Sequence, residues 1–99
     1  MQETAHIRLR RIRLRAWRRG MKEMDLILGP YADSEGAGLA ATELDLLEQM
    51  MAENDQDLYL WIISGFGIPV AYEPLIARIA AFARARHTPD PRRFSEFQK

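Results

Sequence analysis

The stretch Trp17-Arg18-Arg19-Gly20-Met21-Lys22-Glu23-Met24-Asp25 divides the chain, because the charge changes sign inside it. From Arg8 to Lys22 every charged residue is basic, eight in all, and from Glu23 to Glu73 every charged residue is acidic, eleven in all. A formal net charge of zero therefore hides a polar molecule. Gly20 stands at the crossover, and glycine lets a backbone take φ > 0 or bring its main chain close to something else. Arg19-Gly20 reads as the functional corner, with a helix expected on either side.

Upstream, His6 to Arg19 contains no Gly or Pro and is rich in arginine, a good helix former. At roughly 100° per residue, Leu9, Ile12 and Ala16 share one face while Ile7 and Leu14 lie opposite. The alternation Ile7-Arg8-Leu9-Arg10 also fits a strand, and propensity favours the helix. Gly20 falls where this helix should stop, with cations in its last turn facing the negative end of the dipole. Downstream, Met21, Met24, Ile27 and Leu28 form an apolar stripe, the mark of a second helix. Gly29-Pro30 is expected to end or kink it, with Tyr31 to Glu35 continuing at an angle. Gly36-Ala37-Gly38 signals a loop.

Further on, Thr42 is placed to cap a third helix through Met51, with Leu44, Leu47, Met50 and Met51 turned inward. Asp55 reads as the cap of a fourth helix, Gln56 to Ser64, with Leu58, Trp61 and Ile62 on its inner face. Gly65, Gly67 and Pro69 break the chain before a fifth, Glu73 to Arg86, whose apolar face runs through Leu75, Ile76, Ile79, Ala80, Phe82 and Ala83. Residues 1–5 read as a frayed end and 88–99 as a flexible tail, with Phe94 and Phe97 as groups that could dock it. The expected architecture is an all-α fold, a compact antiparallel bundle of five short helices forming one domain over residues 1–87.

With 47% hydrophobic and 28% charged residues in 99, the chain has enough apolar matter for one modest core, which argues against disorder. It has no cysteine, and its two histidines, His6 and His87, lie near opposite ends, so neither disulfides nor a metal site is expected. No run reaches the ~18 apolar residues of a membrane span and no signal peptide opens the chain, so a cytoplasmic protein is expected. There is no Gly-rich phosphate loop, metal-binding histidine pair or nucleophile with its base and acid. Asp55 and Asp57 as paired carboxylates are explained more simply by the helix start they occupy. The residues point away from an enzyme.

The row of seven arginines, Arg8 to Arg19, has three readings: a solvated face, a nucleic-acid arm, or a surface for an anionic group on a protein partner. The downstream acids cancel the far field and only Trp17 is interleaved as an aromatic platform, which disfavours nucleic acid. Arginine's planar fork suits carboxylate or phosphate recognition.

Arg18-Arg19-Gly20-Met21-Lys22-Glu23-Met24-Asp25, followed by Asp55-Gln56-Asp57-Leu58-Tyr59-Leu60-Trp61, resembles the SdhE family of succinate dehydrogenase assembly factors, over roughly Arg8 to Arg86. The resemblance implies a small helical chaperone that binds the flavoprotein subunit of succinate dehydrogenase, and in some bacteria that of fumarate reductase, and promotes covalent attachment of FAD. Such a factor supplies no redox chemistry and holds no cofactor stably. The family's Arg-Gly-x-x-Glu motif falls on Arg19, Gly20 and Glu23, which gives Arg18, Arg19, Gly20, Met21, Lys22 and Glu23 as partner-binding residues. Two departures from the family pattern stand out: Ala40 where a capping Ser is frequent, and Gln56 where Pro is frequent.

The motif also admits a purely internal reading, a helix C-cap with an intramolecular ion pair. On the docking reading the chain acts as a monomer, Gly20 admits the partner's close approach, and Gly20→Arg folds normally but loses binding. The alternative function is a non-enzymatic interaction module, regulatory or toxin-neutralising, that uses the same basic corner.

Overall fold

The computed structural model describes residues 4–87. They form five helices, α1 (Ala5–Ala16), α2 (Lys22–Glu35), α3 (Ala41–Met51), α4 (Asp55–Ser64) and α5 (Glu73–His87), with single 3-10 turns at Gly36–Gly38 and Val70–Tyr72. The all-α expectation holds, and no strand occurs among the described residues. The expected tail, 88–99, lies outside them.

Helix α2 is the central element, packing against α1, α4 and α5, while α1 also reaches α3. Met24, Ile27, Leu28 and Tyr31 are buried along its inner face, and Gly29, Pro30 and Ala32 beside them. The expected break at Gly29-Pro30 does not occur, and the helix continues to Glu35. Proline inside a helix costs about 3 kcal/mol, whereas full burial of a large apolar side chain stabilises by roughly 1.5–3 kcal/mol. Tyr31 and Ala32, both beyond the proline and both buried, keep the last turns on the core. Tyr31 meets Phe82 of α5 edge to face, with ring centroids 5.6 Å apart.

The remaining apolar faces fall as the spacing predicts. In α1, Ile12 and Ala16 are buried and Leu9 packs beside them, while Ile7 and Leu14 face solvent. Leu44, Leu47, Met50 and Met51 of α3, Leu58, Trp61 and Ile62 of α4, and Leu75, Ile76, Ile79 and Ala80 of α5 complete the core. Gly65 ends α4 in the left-handed region at φ 71, its N–H bonded to the Trp61 carbonyl. Tyr72, in the turn before α5, packs near Trp61 and donates its hydroxyl to Glu53 Oε2 at 3.0 Å.

Two caps differ from expectation. The N-cap of α3 is Ala40, not Thr42; alanine has no side-chain acceptor, and Glu43 reaches back to accept the Ala40 N–H at 3.1 Å. That is half of a capping box. The N-cap of α4 is Asn54, whose Oδ1 accepts the Gln56 N–H at 2.8 Å. Asp55 is thereby released for another role.

Much of the segregated charge is consumed inside the fold. Arg8 bonds to Glu48 Oε1 at 2.7 Å and to Asp45, and Arg11 bonds to Glu48 Oε2 at 2.6 Å, stitching α1 to α3. Arg13 reaches the Ala32 carbonyl and Asp33 on α2. The basic helix and its acidic neighbour are complementary walls of one bundle.

Candidate functional site

Helix α1 stops at Ala16, three residues short of the expected end, because Trp17 turns onto α2. Its indole Nε1 donates to Asp33 Oδ2 at 2.9 Å and its ring lies over Gly29. Arg18 closes the turn, its N–H bonded to the Arg15 carbonyl at 3.2 Å. Arg19 and Gly20 then lie between helices rather than in a C-cap.

Arg19 points inward. Its Nε donates to Asp55 Oδ1 at 2.8 Å, and its Nη2 lies 2.7 Å from the same oxygen and donates to the Met51 carbonyl at 2.6 Å. The other carboxylate oxygen, Asp55 Oδ2, accepts the Gly20 N–H at 2.5 Å. Behind them, the Arg19 N–H donates to the Asp25 carboxylate. Only 11% of the Arg19 side chain and 15% of the Asp55 side chain are exposed. One carboxylate thus holds a guanidinium and a main-chain amide together, and it sits in the first turn of α4, where negative charge suits the helix dipole. Removing one partner of a pair this enclosed costs about 3–5 kcal/mol, because the other charge is left without compensation.

This clasp gives each motif residue a place. Arg18, Lys22 and Glu23 are exposed around the corner, Gly20 is exposed with its amide held, Met21 is half-buried against the core, and Arg19 is the internal strut. The close main-chain approach that Gly20 permits is that of Asp55: a Cβ at residue 20 would lie 2.9 Å from Asp55 Oδ2. A side chain there requires the Asp55 carboxylate oxygen that accepts the Gly20 N–H to shift. None of the hydrogen bonds that orient Arg19 comes from Glu23, one turn later; Asp55, Asp25 and the Met51 carbonyl make them. No cluster able to hold a metal ion occurs among the described residues.

Asp25 and Asp55 are the site residues that sequence reasoning misses in this role. Asp55 is visible as a helix-start acid, and nothing local distinguishes a carboxylate that caps its own helix from one that reaches an arginine 36 residues away.

The family described as "Flavinator of succinate dehydrogenase" matches residues 10–83, a span that contains the whole clasp. The chain belongs to this family. Among its relatives are two proteins named FAD assembly factor SdhE. The one from Francisella tularensis is 32% identical over 62 residues, covering 63% of this chain and 65% of its own length. The one from Shewanella oneidensis is 30% identical over 74 residues, covering 75% of this chain and 87% of its own. Within the matched span, Asp55 fixes Arg19 and Gly20 and leaves Glu23 at the surface. Among the described residues no helix is long and apolar enough to cross a membrane.

Proposed function

We propose that this chain binds the flavoprotein subunit of succinate dehydrogenase and promotes covalent attachment of FAD to it, acting as a cytoplasmic monomer without catalytic groups or a stably bound cofactor of its own. The observation that carries this reading is the family match across residues 10–83, which brackets the clasped corner. Arg18, Lys22 and Glu23 make the contacts; Arg19 and Gly20 fix the shape of the corner, and Met21 seats it on the core. The flavoprotein of fumarate reductase is a second client of the same surface.

The mechanism is a shift of population. A chaperone that binds the flavinylation-competent conformation of its client more tightly than other conformations raises that state's share, and only the difference in affinity does so. A corner held by four hydrogen bonds is pre-organised, so little ordering is left to oppose binding.

Covalent flavin on the denatured flavoprotein, read by in-gel fluorescence, tests the proposal in cells lacking this chain and in cells carrying the native chain, Lys22→Glu or Glu23→Lys. Fluorescence should fall in the deletion and in both variants while the variants melt like the native protein. Undiminished fluorescence in the deletion rejects the function. Recovery of a different partner with the native chain would favour the interaction-module alternative.

A further inference from the structure

Between Asp57 and Glu73, from Leu58 to Tyr72, the chain carries no charged residue. Helix α4 spends one face of this interval on the core, through Leu58, Trp61 and Ile62. Its other face carries Leu60 and Ile63, three residues apart and 50% and 63% exposed. Phe66, 75% exposed, follows in the turn after the helix. The backbone at Phe66 is set. Gly65 and Gly67 on either side take the left-handed region at φ 71 and φ 76, the Phe66 N–H donates to Ser64 Oγ at 3.1 Å, and that hydroxyl donates to the Leu60 carbonyl at 2.7 Å. Single apolar side chains at a surface are ordinary, whereas a contiguous group of them without charge marks a contact surface.

This stripe starts at the clasp. Helix α4 opens on Asp55, the residue that holds Arg19 and Gly20, and Leu60 and Ile63 follow on the same helix. On the α2 side, Leu26 stands half exposed one helical turn after Lys22 and Glu23, and it lines one groove together with Glu23, Tyr59 and Ile63. The corner and the stripe are therefore one continuous surface. The charged groups of that groove, Glu23 and Arg84, are opposite in sign and select no net charge in an occupant. The stripe itself selects against charge, because an ionised group buried on it loses its water without gaining a partner. The exposed aliphatic pair of α1, Ile7 and Leu14, differs in having Arg10, Arg11 and Arg13 among the residues between them.

We infer that the client flavoprotein covers this stripe as well as the corner, seating uncharged apolar side chains against Leu26, Leu60, Ile63 and Phe66. The inference rests on the function proposed above and divides the labour within its interface. Arg18, Lys22 and Glu23 steer and orient the approach, which acts on the association rate. The apolar stripe sets how long the complex lasts, since lost anchors show mainly in the dissociation rate.

Binding of the purified full chain to the purified flavoprotein without covalent flavin, followed by surface plasmon resonance, tests this division. Ile63→Ser/Phe66→Ser should raise the dissociation rate by about 100-fold, roughly tenfold for each anchor, with the association rate and its salt dependence unchanged. Leu60→Ser should raise it about tenfold. Leu14→Ser, at a half-exposed leucine of α1, should leave both rates as they are. All four side chains are half or more exposed, so the variants should melt like the native chain. A dissociation rate equal to the native one in the double-serine chain and in Leu60→Ser overturns the inference. So does an equal loss in Leu14→Ser, which makes the effect one of general apolarity, and so does a native chain that sediments as a dimer while the double-serine variant is monomeric, which assigns the stripe to a second copy. In each of these cases the native chain still binds flavoprotein and the proposed function stands. No binding by the native chain removes the function and the inference together, so the two failures are distinguishable.

Discussion

The indole of Trp17 fills the space that a side chain at residue 29 would need: a Cβ on Gly29 would lie 2.3 Å from Trp17 Cδ2. The corner is therefore held at two points, by Trp17 on α2 and by Arg19 on α4, and the stretch between them has little freedom to rearrange.

Gly29→Ala tests the first anchor. Alanine in a helix interior normally gains about 1 kcal/mol over glycine. Here the methyl must expel the ring, and overpacking of this kind costs about 1–3 kcal/mol. The expected outcome is a net loss of stability in a thermal melt, with a displaced Trp17 indole N–H resonance. A variant that melts higher than the native chain would show that the indole yields without cost.

The second anchor predicts a large effect at a residue outside the motif. Asp55→Ala should destabilise the fold by about 3 kcal/mol, because it strands the Arg19 guanidinium and the Gly20 amide. Arg19→Met paired with Asp55→Ala should show a coupling energy on the order of 1–3 kcal/mol in denaturant unfolding. Strict additivity would mean that the two residues do not act as a unit.

Gly20→Arg is expected to lower stability as well as binding, since its Cβ meets Asp55. This replaces the sequence-based expectation of a normally folded, binding-deficient protein. A denaturant midpoint equal to that of the native chain would reinstate that expectation.

Acid sensitivity follows from the ion pairs that α3 makes with α1, through Glu48, and with α5, through Glu43. Burial pushes the Glu48 carboxyl up, but hydrogen bonds from Arg11 and Arg8 outweigh it and hold it below the ordinary value of 4.5. Arg78 and then the Ala40 N–H hold Glu43 below the same value. Folded values lower than unfolded ones contribute stability that is complete above pH 4.5 and lost as pH falls through the depressed range. The melting temperature should decline below that point. Glu48→Gln should flatten the decline and lower the neutral-pH value by roughly 4–8 °C, the equivalent of about 1 kcal/mol in a chain this short. An unchanged acid slope in Glu48→Gln would place the acid-labile groups elsewhere.

Periodicity makes the helices and their buried faces legible, down to the split of α1 into Leu9, Ile12 and Ala16 against Ile7 and Leu14. It does not reveal details that depend on contacts between helices. Pro30 sits mid-helix because Tyr31 beyond it is buried; α1 ends early because Trp17 finds Gly29; Asn54 caps α4 because Asp55 is drawn to Arg19. The charge reversal near Gly20 is plain in the sequence, but its reading as a partner surface is incomplete. Arg8, Arg11, Arg13 and Arg19 turn to acids of their own chain, and the exposed remainder of the motif is Arg18, Gly20, Lys22 and Glu23.

The clasp also sets how the corner breathes. Helix α1 packs on α2 and α3 but buries only Ile12 and Ala16 completely, and its exposed first turn, with few buried contacts, opens locally at low free energy. Arg19 and Gly20 lie just past α1, yet their amides are tied to the Asp25 and Asp55 carboxylates. Their hydrogens should exchange slowly although they stand outside any helix, while those of the first turn of α1 exchange fast. The corner thereby takes its lifetime from α2 and α4 and keeps its shape when the first helix frays.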